Sequence, residues 1–410
     1  MSIKVLHVVG GHFNDGAYKG ANILHQALLE LNINSKILND YPPKTKPNVL
    51  DSFDKDIFYI NDNFLNTLLN KIFIYSEKIL KSIYLHSPRS TFTLGFFGFD
   101  ITKLKEYRDA DIIHIHWLSQ GFINLSSLSK IKKPVVWTMR DMWPFTGGSH
   151  YSVDFEKYEK THLSKIIQNF KKKNYNDNFQ FVAISEWLKK EAEKSRVLKH
   201  YNIKRIYNNI NLKDFEFIEK NSARLILNIK TKKKIILYGA QNPQSKRKGW
   251  NIFVETLKKL DKSKYFLLIF GNFWSQKTLD EIGIEYNNIG FIDDKKKLNV
   301  IYSSADLFVA ASIQEAFGKT WVEAMACETP VVCFDKTCAS EIIDHKINGY
   351  VAKNFDPNEL KEGIEWLCKN SNSKTFNKNN LKSKIINFDA KFIAKKYIEL
   401  YINVLNSKQV

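Results

Sequence analysis

The chain has 410 residues, 44% hydrophobic and 26% charged, and its 62 Lys and Arg against 43 Asp and Glu give a formal net charge of +19. That composition is ordinary for a globular enzyme; the length is too great for one core and short for three full domains, so two domains of roughly 200 residues are expected. No apolar run reaches the roughly 18 residues of a membrane-spanning helix, since the stretch from Phe64 to Leu85 is broken by Asn66, Lys71, Glu77, Lys78 and Lys81.

The opening MSIKVLHVVGGHF runs straight into a strand pattern without the basic segment, long apolar core and small-residue cleavage site of a signal peptide, so a cytoplasmic chain is expected. Cys327, Cys333, Cys338 and Cys368 fall at spacings that match no zinc or redox motif, and read as small core residues of a reducing compartment. The positive charge calls for a polyanionic neighbour. Nucleic acid, an anionic membrane and a phosphorylated substrate all qualify, while the Lys-, Asn- and Ile-rich stretches also fit a compositional bias that needs no partner.

From the N-terminus, strands are expected at Ile3–Gly10, Ser35–Asp40, Asp111–Trp117, Lys133–Met139 and Phe179–Ser185. A helix over Gly16–Leu31 follows the Gly10-Gly11 turn, with Ala21, Leu24, Leu28 and Leu31 at helical spacing. The segment from about Asp51 to Asp100 fits this rhythm poorly. It carries an apolar-basic helical stretch and then STFTLGFFGF, which reads equally as a face resting on a membrane or acceptor lipid and as a helical excursion packed on its own domain.

The rhythm restarts with strands at Lys233–Ala240, Lys264–Gly271, Asn287–Ile292, Asp306–Ser312 and Pro330–Phe334, and with helices at Gly249–Leu260, Lys296–Ala305 and about Thr320–Cys327. Two such halves argue for an α/β protein of two doubly wound, Rossmann-like domains with mainly parallel sheets. The boundary is expected within Asn209–Lys220: residues 1–210 form the first domain, 211–388 the second, and 389–410 a long amphipathic helix that packs back on the first, with Phe392, Tyr397, Leu400, Tyr401 and Val404 near one face.

The densest signal is Ala310–Val332. Glu315 in a strand-end loop and Glu323 early in the following helix can point at one extended ligand, with the backbone N–H groups around Gly318 and Lys319 facing a phosphate at the positive helix end. The sequence EAFGKTWVEAMACETPVV resembles the signature of family 4 of the retaining glycosyltransferases, differing at Glu328, where the family often has glycine. The resemblance implies a GT-B fold, two domains facing across a cleft, with the donor bound mainly by the C-terminal one. It assigns Glu315 to the transferred sugar and Glu323 to the ribose, with Phe317, Gly318, Lys319 and Thr320 beside the donor.

A second match is Gly239–Gly249, GAQNPQSKRKG, where the resemblance makes Lys248 the diphosphate lysine and Arg247 its helper; Gly239 lies at the strand end, and Ala240 stands where many members carry arginine. A third is Lys133–Ser152, similar to a subgroup that assembles bacterial surface polysaccharides. Arg140-Asp141 replaces the family's His-Asp pair there. Arginine stays protonated and is no base, so Arg140 is expected to position phosphate or sugar, with Asp141 holding it and Gly147, Gly148, Ser149 and His150 lining the cleft. Gly11 and Gly16 resemble the family's glycine loop near the reacting centre, and Ser185, Asn208, Asn209 and Glu341 also fall on family positions.

His114 and His116 point to one face of a strand as metal ligands would, but no third ligand has suitable spacing; they are expected to be packed or cleft-facing, and Asp109 and Asp111 solvent-facing. No metal and no cofactor are expected. The resulting reading is a retaining, metal-independent transferase moving a sugar from a nucleotide-diphosphate sugar to a glycan or lipid-linked acceptor, with peripheral attachment to the inner face of the cytoplasmic membrane. Its rivals are an epimerase or phosphorylase on the same architecture and a basic nucleic-acid-binding protein, for which no recognition motif is present.

Overall fold

A computed structural model describes residues 3–40, 54–84, 91–118, 121–370 and 379–407. Contacts divide the chain into two units, Met1–Asn209 with Ala390–Val410, and Ile210–Asp389.

The first unit is a sheet of seven strands in the order β3-β2-β1-β4-β5-β6-β7. The strands are β1 Lys4–Val9, β2 Asn34–Asn39, β3 Ile57–Tyr59, β4 Ile112–Trp117, β5 Val135–Met139, β6 Phe179–Ala183 and β7 Lys204–Arg205. Every ladder is parallel. Parallel pairing demands crossovers that cover both faces of the sheet, which is why β4 and β5 are almost fully buried and β-branched at half or more of their positions. α1 (Gly16–Glu30) and the C-terminal helix Ala390–Asn406 cover one face together, packing Leu24, Leu28, Ile393, Tyr397 and Tyr401 onto Val5, Ile112, Val136 and Val182. Phe392 departs from the expected apolar face: it is 42% exposed and carries Lys396 over its ring, while Ile393 and Ala394 occupy the core.

The segment after Asp51 belongs to the α/β rhythm more closely than its composition suggests. β3 extends the sheet edge, pairing Ile37 with Ile57, and α2 (Phe64–Tyr84) follows it. Three residues of strand are too short for a period-2 pattern to register.

The second unit is a parallel sheet of six strands in the order β10-β9-β8-β11-β12-β13. They are β8 Lys234–Gly239, β9 Tyr265–Phe270, β10 Tyr286–Asn288, β11 Leu307–Ala310, β12 Val331–Phe334 and β13 Gly349–Ala352. β10 ends before the expected Ile292 because Gly290, at φ 81°, turns the chain. Glu328 adopts φ 59° between the helix Lys319–Ala326 and β12, which explains why glycine suits that position.

In each sheet the strand order reverses beside the first strand, at β1/β4 and at β8/β11. Loops leave in opposite directions at such a point and open a crevice at the carboxyl ends of the strands. Gly249, at φ 70°, closes the loop after β8 so tightly that a Cβ there would lie 1.8 Å from the Ala311 carbonyl oxygen, whereas a Cβ on Gly16 meets nothing within 4 Å. Gly249→Ala is therefore expected to destabilise the second unit by about 2 kcal/mol or more and Gly16→Ala to change stability by about 1 kcal/mol at most, as read from denaturant midpoints.

Candidate active site

The loops after β8 and β11 meet at the switch point of the second unit. β8 and β11 are neighbours, pairing Ile236 with Leu307 and Leu237 with Phe308. Beyond them the Ile313 amide donates to the Arg247 carbonyl at 2.9 Å, and Arg247 Nη1 donates to the Gln314 carbonyl at 3.2 Å. These two bonds bring the loops together: Lys248 Nζ makes an ion pair with Glu315 Oε2, and Arg247 Nη1 lies 3.5 Å from the same oxygen. A cavity of about 10 Å³, roughly one water, lies beneath, lined by Gly239, Lys248, Ala311 and Thr320 among others.

Glu315 is only 7% exposed. Burial pushes its carboxyl up, but the Lys248 ammonium and the Arg247 guanidinium outweigh this and hold it below the ordinary carboxylate value. Burial lowers Lys248, with Arg247 adding to the shift and Glu315 opposing it. A carboxyl depressed in the fold stabilises it above the unfolded value, and that contribution disappears as pH falls through the folded value.

Glu323 stands on the second turn of the helix Lys319–Ala326, 8% exposed, and accepts a 2.8 Å hydrogen bond from the Tyr302 hydroxyl. Burial beside Glu323 pushes the Tyr302 phenol well up, so it remains a donor. Neither glutamate faces bulk water. Phe317 is buried edge-on against Phe388, and Gly318 is required because a Cβ would enter the Trp321 ring. The expected phosphate cradle is different here: the Lys319 amide donates to the Phe317 carbonyl at 2.8 Å and the Gly318 amide meets the Cys338 sulfur. The helix starts with a tight turn that takes up those donors. Gly239 is likewise a packing glycine, its Cβ position filled by the Phe270 ring.

In the first unit, Gly11 adopts φ 91° after β1, and its amide donates to Asp40 at 2.8 Å. Arg140, just past β5, is buried, with 9% of its surface exposed. Nη1 donates to the Asn208 and Asn209 side-chain oxygens and Nη2 meets His116 Nδ1 at 3.1 Å, while Nε has no partner among the described residues. Burial lowers its pKa to about 10, so the guanidinium stays charged at neutral pH. Asp141 does not hold Arg140. Adjacent residues diverge here, and Asp141 accepts from His150 Nδ1 at 2.7 Å, Trp117 Nε1 at 3.0 Å and the Trp143 amide at 2.9 Å. Gly147 and Gly148 are packing positions, filled against Ser164 and Phe92, while Ser149 and His150 are buried, His150 bonding Thr93 at 2.9 Å. Ser185 caps a helix by accepting from the Leu188 amide. Lys171, missed in the sequence, supports the Arg140–His150 loop from below, donating to the Trp143 and Thr146 carbonyls; burial lowers its pKa to about 7.

A third histidine does join His114 and His116. His7 is the register partner of His114 across β1 and β4, a juxtaposition that parallel pairing makes legible only once strand order is known. The three offer ligand atoms within 4.8 Å of one another. Their nitrogens are largely committed: His114 to Tyr401 and Thr138, His116 to Arg140 and to His7 Nδ1, so of the six only His7 Nε2 has no partner among the described residues. With a guanidinium alongside, this donor set does not fit a cation.

Two doubly wound parallel-sheet units, one with a carboxylate held by two cations at its switch point, make up the GT-B fold of solved glycosyltransferases. Residues 74–214 match the family described as Glycosyltransferase Family 4 and residues 219–402 match Glycosyl transferases group 1; together the two matches identify the chain as a glycosyltransferase. It is 26% identical over 305 residues to an uncharacterised glycosyltransferase of Methanocaldococcus jannaschii, covering 71% of this chain and 75% of the relative. It is also 26% identical over 251 residues to an N,N'-diacetylbacillosaminyl-diphospho-undecaprenol alpha-1,3-N-acetylgalactosaminyltransferase of Campylobacter jejuni, covering 59% and 65%. Among solved structures, sucrose-phosphate synthase of Thermosynechococcus elongatus superposes with a TM-score of 0.71 at 17% identity, covering 99% of this chain and 100% of that one.

The ion pair makes a quantitative prediction. Lys248→Met leaves the buried carboxylate with Arg247 alone and is expected to lower stability by about 2–4 kcal/mol, as is Glu315→Met, which leaves the ammonium without its carboxylate, whereas the double variant loses less than the sum. Chemical denaturation of the four proteins checks it.

Proposed function

We propose that the chain transfers a hexose, with retention of anomeric configuration and without a metal ion, from a nucleotide-diphosphate sugar to a hydroxyl of a glycan or lipid-linked oligosaccharide in bacterial surface polysaccharide synthesis. The convergence of Lys248 and Arg247 on Glu315 at the β8/β11 switch point carries this reading. A sugar–diphosphate donor presents two anionic phosphates next to a ring of hydroxyls, and the loop after β8 offers cations beside the carboxylate supplied by the loop after β11. Binding the diphosphate re-partitions the ion pair: Lys248 and Arg247 turn to phosphate oxygens, and Glu315 accepts hydrogen bonds from the sugar hydroxyls instead. Glu323, held by Tyr302, grips the ribose diol.

Transfer then proceeds on the face of departure. The acceptor oxygen bonds to the anomeric carbon as the bond from that carbon to the phosphate oxygen breaks. The acceptor proton passes to the leaving diphosphate, whose developing charge Lys248 and Arg247 stabilise. Arg140 is charged throughout and positions an anionic group of donor or acceptor rather than moving a proton. The acceptor class is supported by the Campylobacter jejuni relative, named for a lipid diphosphate acceptor, and by the chain's net charge of +19, which suits electrostatic attachment to the anionic inner face of the cytoplasmic membrane.

Glu315→Gln keeps the volume of the side chain and removes its charge; it is expected to lower transfer at least about 100-fold in kcat/KM while the unfolding midpoint remains that of a folded protein. Lys248→Ala is expected to act mainly on turnover of the donor, read in the steady-state constants. Undiminished transfer by purified Glu315→Gln contradicts the assignment.

A further inference from the structure

α2 faces the opposite way from a helix packed on a domain core. Its buried residues include Asn70, Glu77 and Lys81, whereas Leu65, Leu68, Ile72, Tyr75, Ile79 and Ile83 are between 44% and 66% exposed, and Phe64 at its start is 84% exposed. Intervals of three and four residues place these six side chains on one strip of the helix. The orientation is fixed by the inward face. Glu77 accepts from the amides of Leu94 and Gly95, Lys81 donates to the Phe92 carbonyl at 3.0 Å, and Phe73 packs edge-on against Phe99 at 5.4 Å. A Cβ on Gly121 would lie 2.9 Å from Ile74. The inward polar anchors prevent α2 from rolling its aliphatic strip into the core.

We propose that this strip is a membrane-seating surface: α2 lies in the plane of an anionic bilayer, Leu65, Leu68, Ile72, Tyr75, Ile79 and Ile83 entering the boundary between headgroups and acyl chains. Lys71 and Lys78, both exposed, border the strip on one side and meet lipid phosphates. No described helix is long and apolar enough to cross a membrane, so α2 rests on the bilayer and does not span it. A second copy of the chain is a poorer occupant, because pairing strip to strip brings Lys71 and Lys78 of both copies together and opposes two net charges of +19. The inference deepens the peripheral attachment proposed above and rests on it, supplying the surface that net charge alone does not.

The test is flotation of the full chain with vesicles of phosphatidylcholine alone and of phosphatidylcholine with about 30 mol% phosphatidylglycerol. The variants are Ile72→Glu/Ile79→Glu and Lys71→Ser/Lys78→Ser, each with its thermal midpoint and elution volume measured. Wild type is expected to float with the anionic vesicles. The isoleucine variant is expected to lose at least about tenfold in partitioning at an unchanged midpoint, and the lysine variant to bind more weakly. A Tyr75→Trp variant is expected to blue-shift its fluorescence when anionic vesicles are added. Equal flotation of wild type and the isoleucine variant overturns the role of α2 while leaving peripheral attachment standing; no flotation of wild type with either vesicle overturns both. A wild-type dimer that the isoleucine variant converts to monomer overturns the inference in favour of a self-interface.

Discussion

The second unit depends on one interaction, the buried pair of Lys248 and Glu315. It ties the loop that leaves β8 to the loop that leaves β11 at the point where the strand order reverses. A buried ion pair is weak evidence for stability, since well-packed apolar residues can replace it without loss. Its geometry is better explained by what it keeps ready: an ammonium, a guanidinium and a carboxylate that an anionic, hydroxyl-rich ligand can divide between its own groups. Gly249, the backbone bond from Ile313 to Arg247 and the bond from the Arg247 guanidinium to the Gln314 carbonyl set the spacing, so the chemistry rests partly on main-chain geometry and not on flexible side chains alone.

The first unit applies a different rule. Around Arg140 it gathers neutral groups, with Asn208, Asn209 and His116 in contact and Tyr397 and Tyr401 close by. The imidazoles of His7, His114 and His116 are held well below the ordinary histidine value, by burial first and then by the neighbouring positive groups. The neutral His116 imidazole accepts from the guanidinium without neutralising it. The C-terminal helix completes the arrangement, since Tyr401 and Tyr397 bond His114 and Thr138.

The fold class was legible because its signals are local and repeated: β-branched runs, each followed by a helical period, mark a doubly wound sheet wherever they recur. Short edge strands such as β3 and β7 left no period to read. Within the site, Glu315, Lys248 and Arg247 stood out because motif and strand end coincide, and the structure brings their side chains together. Glycines carry a packing constraint that spacing does not reveal: at Gly148, Gly239 and Gly318 a Cβ would meet a neighbouring aromatic ring, Phe92, Phe270 or Trp321. Partners far apart in sequence, such as His7 with His116, Asp141 with Trp117 and His150, or Glu77 with Leu94, depend on tertiary contacts that no spacing rule encodes.

The most direct test is a crystal structure with the nucleoside diphosphate that stabilises the protein best in a thermal screen. The account predicts phosphate oxygens within hydrogen-bonding distance of Lys248 Nζ and Arg247, with Glu315 Oε2 released from the lysine and the ribose hydroxyls on Glu323. A diphosphate bound elsewhere, with the Lys248–Glu315 pair intact and solvent above it, would contradict it.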